Sequence, residues 1–256
     1  MKYWQSPEEL LRKFYITEPS EIDLEVIAFD CGAEIQEAPL KGCAAHIIGK
    51  EAAAVITVDV NSPPGRKRFS AAHELGHWMR HRGKTMACAT RDLRKPWSLL
   101  DPEAVANEFA ADLLLPKYLF QPRVEGRPIS FKTVAEAEES FRVSRSAAAL
   151  RLVQFGSYDA MVLCHDKDGR REWFRGSRRV DGNLWPGQSL SKDSDAYDIL
   201  RGGQGSPHPI TVDADDWINH PRARDYEIRE HSVPYGDGVL TLLWWKDASM
   251  VEELVG

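Results

Sequence analysis

Two histidines stand four residues apart in His73-Glu74-Leu75-Gly76-His77, inside a stretch whose pattern predicts a helix over about residues 67–82. This spacing constrains the chain more than any other feature. One turn of α-helix brings residues i and i+4 onto one face, so both imidazoles are placed to hold one metal ion. Glu74 lies beside them and can reach a water on that ion. Zinc lowers the pKa of such a water to about 7, and a carboxylate can then take its proton. Two neutral nitrogens hold the ion without cancelling its charge, and the base is not itself a ligand. Gly76 inside a helix costs about 1 kcal/mol against alanine, which points to close approach of another segment.

A third ligand is needed. His81 continues the four-residue spacing, but it lies about 12 Å along the axis from His73 and cannot share the ion. The pattern with a third histidine six residues beyond the second, after a glycine, also fails, because Arg80 and Gly83 occupy those positions. The next helix supplies the candidates. Asp101 is a capping residue and Pro102 suits the first helical position, and the pattern runs to Leu115 before Pro116 stops it. Its later acids are Glu103, Glu108 and Asp112. The core stripe is Val105, Ala106, Phe109 and Leu113. Glu103 falls beside Ala106, Ala110 and Leu114, a small apolar surface that lets another helix pack closely, whereas Glu108 falls on the opposite flank near Asp112. The wheel selects Glu103 as the third ligand, against the ordinary reading of a first-turn acid that stabilises the helix dipole. Asn107, one turn on, is placed to hydrogen-bond a ligand histidine.

The rest of the chain is consistent with a globular enzyme. Its 256 residues are 43% hydrophobic and 28% charged, with a net charge of −6. An acidic chain gives no reason to expect a nucleic acid as its main partner. No apolar run approaches a membrane span, and the N-terminus does not read as a signal peptide. Cys31, Cys43, Cys88 and Cys164 form no C-x-x-C pair and read as reduced thiols, so the expected location is the cytoplasm, away from membranes. Helices are predicted at 7–15, with Ser6, Pro7 and Glu9 as a start signal, and at 20–31. A hairpin is predicted from runs at 44–48 and 53–58. Two helices are expected over 131–154, split by a turn at Phe141-Arg142-Val143 and capped by Ser144. Residues 84–100 show no period. Beyond Gly156 the chain turns to tryptophan-rich, strand-like runs at 158–164 and 171–175, with a second pair flanking Pro234-Tyr235-Gly236-Asp237-Gly238. A domain boundary is placed near Gly156.

Two blocks together, Arg66-Lys67-Arg68-Phe69-Ser70-Ala71-Ala72-His73-Glu74-Leu75-Gly76-His77 and Glu103-Ala104-Val105-Ala106-Asn107-Glu108-Phe109-Ala110-Ala111-Asp112-Leu113-Leu114-Leu115-Pro116, resemble the ImmA/IrrE metallopeptidases. Val105 departs from the pattern, standing where many relatives carry a second acid. The resemblance implies an α+β protein in three parts: a gluzincin-like zinc metallopeptidase domain at 1–129, a helix-turn-helix-like segment at 130–156, and a GAF-like domain at 157–256 for sensing or for positioning substrate. It implies one zinc ion per chain on His73, His77 and Glu103, with Mn2+ as an activating substitute, and Glu74 as the catalytic base. It also implies a protein substrate, a helix-turn-helix transcriptional repressor encoded nearby, whose cleavage relieves repression in a stress response or a mobile-element switch.

Some features carry ordinary readings. Arg142, Arg145 and Arg151 in the paired helices are offset by Glu136, Glu138 and Glu139, and Ala147-Ala148-Ala149-Leu150 offers little to base edges, so packing or partner contact is favoured over DNA binding. Arg66-Lys67-Arg68 reads as a solvated helix start. Cys88 and His165 read as structural. Tyr118, Tyr158, His208, His220 and His231 are all candidates to stabilise an oxyanion, and the sequence does not choose among them.

Overall fold

The structure, a computed structural model, describes residues 5–81, 86–89 and 102–255, the side chains of 81 and 86–89 excepted. The expected cap at Asp101, the helix end near Gly83 and the unpatterned stretch from 90 to 100 lie outside the described residues, as do the side chains of His81 and Cys88. By packing, the chain divides into two compact units. One holds residues 1–119 and 137–144, the other 120–136 and 145–256. The packing boundaries therefore do not coincide with the expected ones at 129/130 and 156/157.

The first unit begins with α1 (Pro7–Lys13). Ser6 accepts from the Glu9 amide at 3.2 Å and Glu9 accepts from the Ser6 amide at 2.7 Å, a reciprocal cap that satisfies two otherwise unpaired donors. A 3-10 turn at Pro19–Glu21 leads to α2 (Leu24–Asp30), capped by Asp23 on the Val26 amide at 3.0 Å. The expected helix at 20–31 is thus shorter, but Leu24, Ile27 and Ala28 do form its buried face. Three strands follow: β1 (Ala33–Ala38), β2 (Ala45–Lys50) and β3 (Ala53–Asp59). The β2–β3 hairpin turns at Glu51-Ala52, with Glu51 at φ 55°, so the strand runs on through Gly49 and Lys50.

The helix α3 (Pro64–His81) starts earlier than the sequence pattern suggests. Next come β4 (Met86–Ala89), α4 (Pro102–Leu114) and α5 (Lys117–Val124). The sheet order is β1-β3-β2-β4, with β1 parallel to β3 and both other pairs antiparallel. One face of α3 lies on this sheet. An added Cβ at Gly49 would stand 2.6 Å from the Trp78 ring, so the indole sits directly on the glycine. Trp78 is 1% exposed and donates its indole N–H to the Cys31 carbonyl at 2.8 Å. Burying a side chain of this size contributes roughly 2–3 kcal/mol.

The second unit is built around one antiparallel sheet. The packing division passes through α5 and through α6 (Phe131–Phe141), and α7 (Arg145–Phe155) belongs to the second unit. The turn between the two helices places Arg142 at φ 54°. The strands are β5 (Ala160–His165), β6 (Arg171–Gly176), β7 (Ile210–Asp213), β8 (Glu227–Tyr235) and β9 (Gly238–Trp244), in the order β6-β5-β9-β8-β7. The β5–β6 hairpin turns where Asp166 accepts from the Asp168 and Arg170 amides and Gly169 takes φ 74°. Two helices, α8 (Asp195–Leu200) and α9 (Ala248–Val255), contribute to the same core as Met161, Leu163, Trp217, Leu243 and Trp245. The architecture is α+β. Among the described residues no helix is long and apolar enough to cross a membrane.

Candidate metal centre

Residues 70–79 of α3 are buried without interruption. A helix covered on all sides would ordinarily be apolar there, because an uncompensated polar group costs a few kcal/mol to bury. This one carries His73 at 0%, Glu74 at 0% and His77 at 2% exposure. Side chains held so deeply need partners, and α4 supplies them for both histidines.

Glu103, in the first turn of α4, places one carboxylate oxygen 3.3 Å from His73 Nε2 and the other 3.2 Å from His77 Nε2. The two Nε2 atoms are 3.1 Å apart. The ligand atoms of the three residues all lie within 4.8 Å of one another. Donors about 2.0–2.1 Å from a tetrahedral ion stand about 3.3 Å from each other. The three separations match that edge length, and two imidazoles with one carboxylate are a donor set suited to a borderline-soft divalent ion. The Glu103 side chain is 34% exposed, so the triangle opens towards solvent on the α4 side.

His73 is oriented from behind. Its Nδ1 lies 2.8 Å from Asn107 Oδ1. An amide oxygen only accepts, so Nδ1 carries the proton and Nε2 turns its lone pair towards Glu103 and His77. Phe69, one turn before His73, stands with its ring 6.4 Å from the imidazole.

The two helices come this close because of one missing side chain. An added Cβ at Gly76 would stand 3.1 Å from Phe109 Cβ and 3.2 Å from the Ala106 backbone. Gly76 gives up helix propensity to admit α4, as its position in the motif suggested. Ala106, Ala110 and Leu114, expected to form the small surface beside Glu103, are 2%, 0% and 1% exposed.

The other residues singled out from sequence separate clearly. Glu108 is exposed and Asp112 half-buried, and neither joins the triangle. Lys67 pairs with Glu37 at 2.6 Å and Arg68 donates to the Ile22 carbonyl, so two residues of that basic run are tied to their own unit, while Arg66 is exposed. The Tyr118 hydroxyl donates to the Ile16 carbonyl at 2.8 Å. Tyr158, His208, His220 and His231 belong to the second unit. His231 accepts from the Phe131 amide through Nδ1, and burial pushes its pKa down. His165 is 2% exposed and stacks edge-on against Trp217, and burial pushes it down to about 4. Arg142 donates to the Ser20 and Ile22 carbonyls, and Arg151 is buried beside Gln154. Cys31, Cys43 and Cys164 are free thiols. Sequence reasoning missed Trp78. The signal was available: a tryptophan directly after the second histidine, and a glycine in the preceding hairpin to receive it.

A peptidase family model, described as the IrrE N-terminal-like domain, matches residues 30–153. Among solved structures, a Mycobacterium tuberculosis transcriptional regulator superposes with a TM-score of 0.60 at 14% identity, covering 97% of this chain and 76% of that one. At that identity the likeness is one of fold. No curated protein is significantly similar to the chain. Residues 30–153, the part of the chain similar to the peptidase family of IrrE N-terminal-like domains, hold both histidines, Glu74, Glu103 and Asn107.

Proposed function

We propose that this protein is a zinc-dependent endopeptidase that cuts a helix-turn-helix transcriptional repressor. The observation that carries the reading is the triangle of His73 Nε2, His77 Nε2 and the Glu103 carboxylate, with edges of 3.1–3.3 Å and a fully buried Glu74 in the same helical turn. His73, His77 and Glu103 would hold the ion, one per chain, and Mn2+ would serve as an activating substitute. When bound, zinc supplies Lewis acidity, lowering the pKa of a coordinated water towards about 7 and polarising a carbonyl.

The side chains do the rest. Asn107 fixes the His73 ring through Nδ1. Glu74 takes the proton from the attacking water and returns it to the leaving amine, as general base and then general acid. A protein that only sequestered a repressor would have no use for a buried carboxylate at this position.

Within this reading the first part is gluzincin-like, residues 130–156 are helix-turn-helix-like and residues 157–256 are GAF-like. The strand order of the C-terminal sheet, second-first-fifth-fourth-third in its own succession, supports the GAF-like assignment. The use of Arg142 and Arg151 in internal contacts supports a packing or protein-contact role for the paired helices over direct DNA binding. The setting is cytoplasmic, and the outcome of cleavage is relief of repression in a stress response or mobile-element switch.

The test mixes purified protein with repressors encoded beside its gene. Cleavage should require metal. Glu74→Gln should keep its zinc and cut at least about a hundredfold more slowly, and activity within tenfold of wild type would remove Glu74 from the proton path. Glu103→Ala should lose zinc while Glu108→Ala keeps it.

A further inference from the structure

The surface of the first unit carries apolar side chains that folding does not use. Tyr15 is 88% exposed, Phe29 78% and Val26 50%. Val26 and Phe29 sit one turn apart on the outer face of α2. Tyr15 and Val26 line the same shallow groove of about 280 Å³, together with Phe14, Glu21 and Asp23.

Tyr15 is the more telling residue. It follows the end of α1 in the left-handed region, at φ 55°, where glycine or asparagine is the usual occupant. A bulky side chain costs on the order of 1 kcal/mol there. A tyrosine ring that stands in solvent recovers none of that cost. Aromatic side chains exposed in this way mark contact surfaces.

The charge around the groove says what would sit there. Residues 5–30 hold seven acidic and two basic side chains, a net −5 in a chain whose total is −6. Both cations are committed, Arg12 to Glu8 and Lys13 to Asp30, and Arg68 and Arg142, which reach the Ile22 carbonyl from elsewhere in the unit, offset part of the acidic charge without reversing it. Glu18, Glu21, Asp23 and Glu25 are exposed around the aromatic strip. The Thr17 and Glu18 backbone amides hold the Glu21 carboxyl below its ordinary value, so its charge persists at mildly acidic pH.

We propose that Tyr15, Val26 and Phe29, within their acidic rim, form a docking surface for a basic amphipathic helix of a partner protein. This deepens the reading above and rests on it for the partner's identity, because the DNA-contacting helices of a repressor are basic. The apolar face of such a helix would cover the aromatic strip, and its lysines and arginines would meet Glu18, Glu21, Asp23 and Glu25.

The probe is a fluorescein-labelled 18-residue amphipathic helix of leucine and lysine, titrated with the full chain by anisotropy. Its leucine–glutamate counterpart is the control. The basic peptide should bind, with affinity falling as salt is raised. Tyr15→Ser with Phe29→Ser should weaken it at least tenfold and Glu25→Lys at least threefold. Val60→Ser, at an exposed apolar residue outside the groove, should change nothing. All four positions are exposed, so unfolding would not confound the comparison, and melting curves check this. Equal binding by the double variant, or equal binding of the acidic peptide, overturns the proposal. So does self-association abolished by the same double substitution, which would make a second copy the occupant. If wild type and double variant cut a repressor equally fast, the docking surface falls and the peptidase reading stands. If the peptide docks through Tyr15 and Phe29 but no repressor is cut, the surface stands and the substrate reading falls.

Discussion

His73 Nδ1 and Asn107 Oδ1 lie 2.8 Å apart, linking the metal helix to the helix that carries Glu103. This contact sets the tautomer of His73. Asn107→Ala should therefore lower zinc affinity about 10- to 100-fold, the usual effect of removing such a partner, with little change in melting temperature of the metal-free protein. Competition with a chromophoric chelator measures it. Unchanged affinity would mean that packing alone orients the ring.

Gly76→Ala sets two effects against each other. Alanine gains about 1 kcal/mol of helix propensity. Its methyl group would meet Phe109 and Ala106 at 3.1–3.2 Å, and overpacking costs about 1–3 kcal/mol. The expected net is a small loss of stability with a clear loss of zinc, because α4 must move and takes Glu103 with it. Zinc content and thermal melting, read on the same sample, separate the two. A variant that is more stable and fully loaded would show that α4 adjusts without cost.

His165 gives the second unit a pH dependence. Its folded pKa, about 4, is depressed from 6.5 by burial. The folded state binds the proton more weakly than the unfolded state. Stability is therefore complete above pH 6.5 and is lost as pH falls towards 4. Between pH 7 and 5 the loss from this residue is about 2 kcal/mol, and His231 shifts in the same direction. Denaturant unfolding followed by tryptophan fluorescence at both pH values checks it. His165→Leu should flatten the slope, and an equally steep variant would assign the effect elsewhere.

Truncation at residue 156 follows from the packing division. A peptidase domain ending before 130, followed by a helical segment, suggests that residues 1–156 could stand alone with their metal ligands. The structure argues against a clean fragment. Residues 120–136 and 145–155 pack in the second unit, where the Gly126 amide donates to Ser157 and Tyr235 to Ser146. A 1–156 fragment should aggregate or bind ANS strongly, where the full chain does not. A monomeric, zinc-loaded fragment would contradict this.

What could be read from the sequence was local. Ser6 and Glu9 announce α1, and the Glu103–Asn107 spacing follows from one turn of helix. The β2–β3 hairpin shows in its alternation. The strand β1 was not legible: Ala33-Glu34-Ile35-Gln36-Glu37-Ala38 is half polar, and its partner β3 lies some twenty residues on in a parallel register. Pro122 inside α5 hid that helix. The position of the unit boundary within α6 depends on which half of one helix packs where, and no residue in Phe131–Phe141 records it. The triangle was legible because a chelating pair on one helix leaves few places for a third donor. The role of Trp78 was not, since it depends on which strand passes beneath it.

Gly49 beneath Trp78 and Gly76 against α4 clamp the metal helix on two sides, through contacts that use no metal ligand. The frame that brings His73, His77 and Glu103 together is thus preorganised by its own core. In a zinc finger the ion is the core, and chelation is denaturation. Here the two clamps use no metal ligand, so a chelator should empty the site while the melting transition stays cooperative, and refilling should need no refolding.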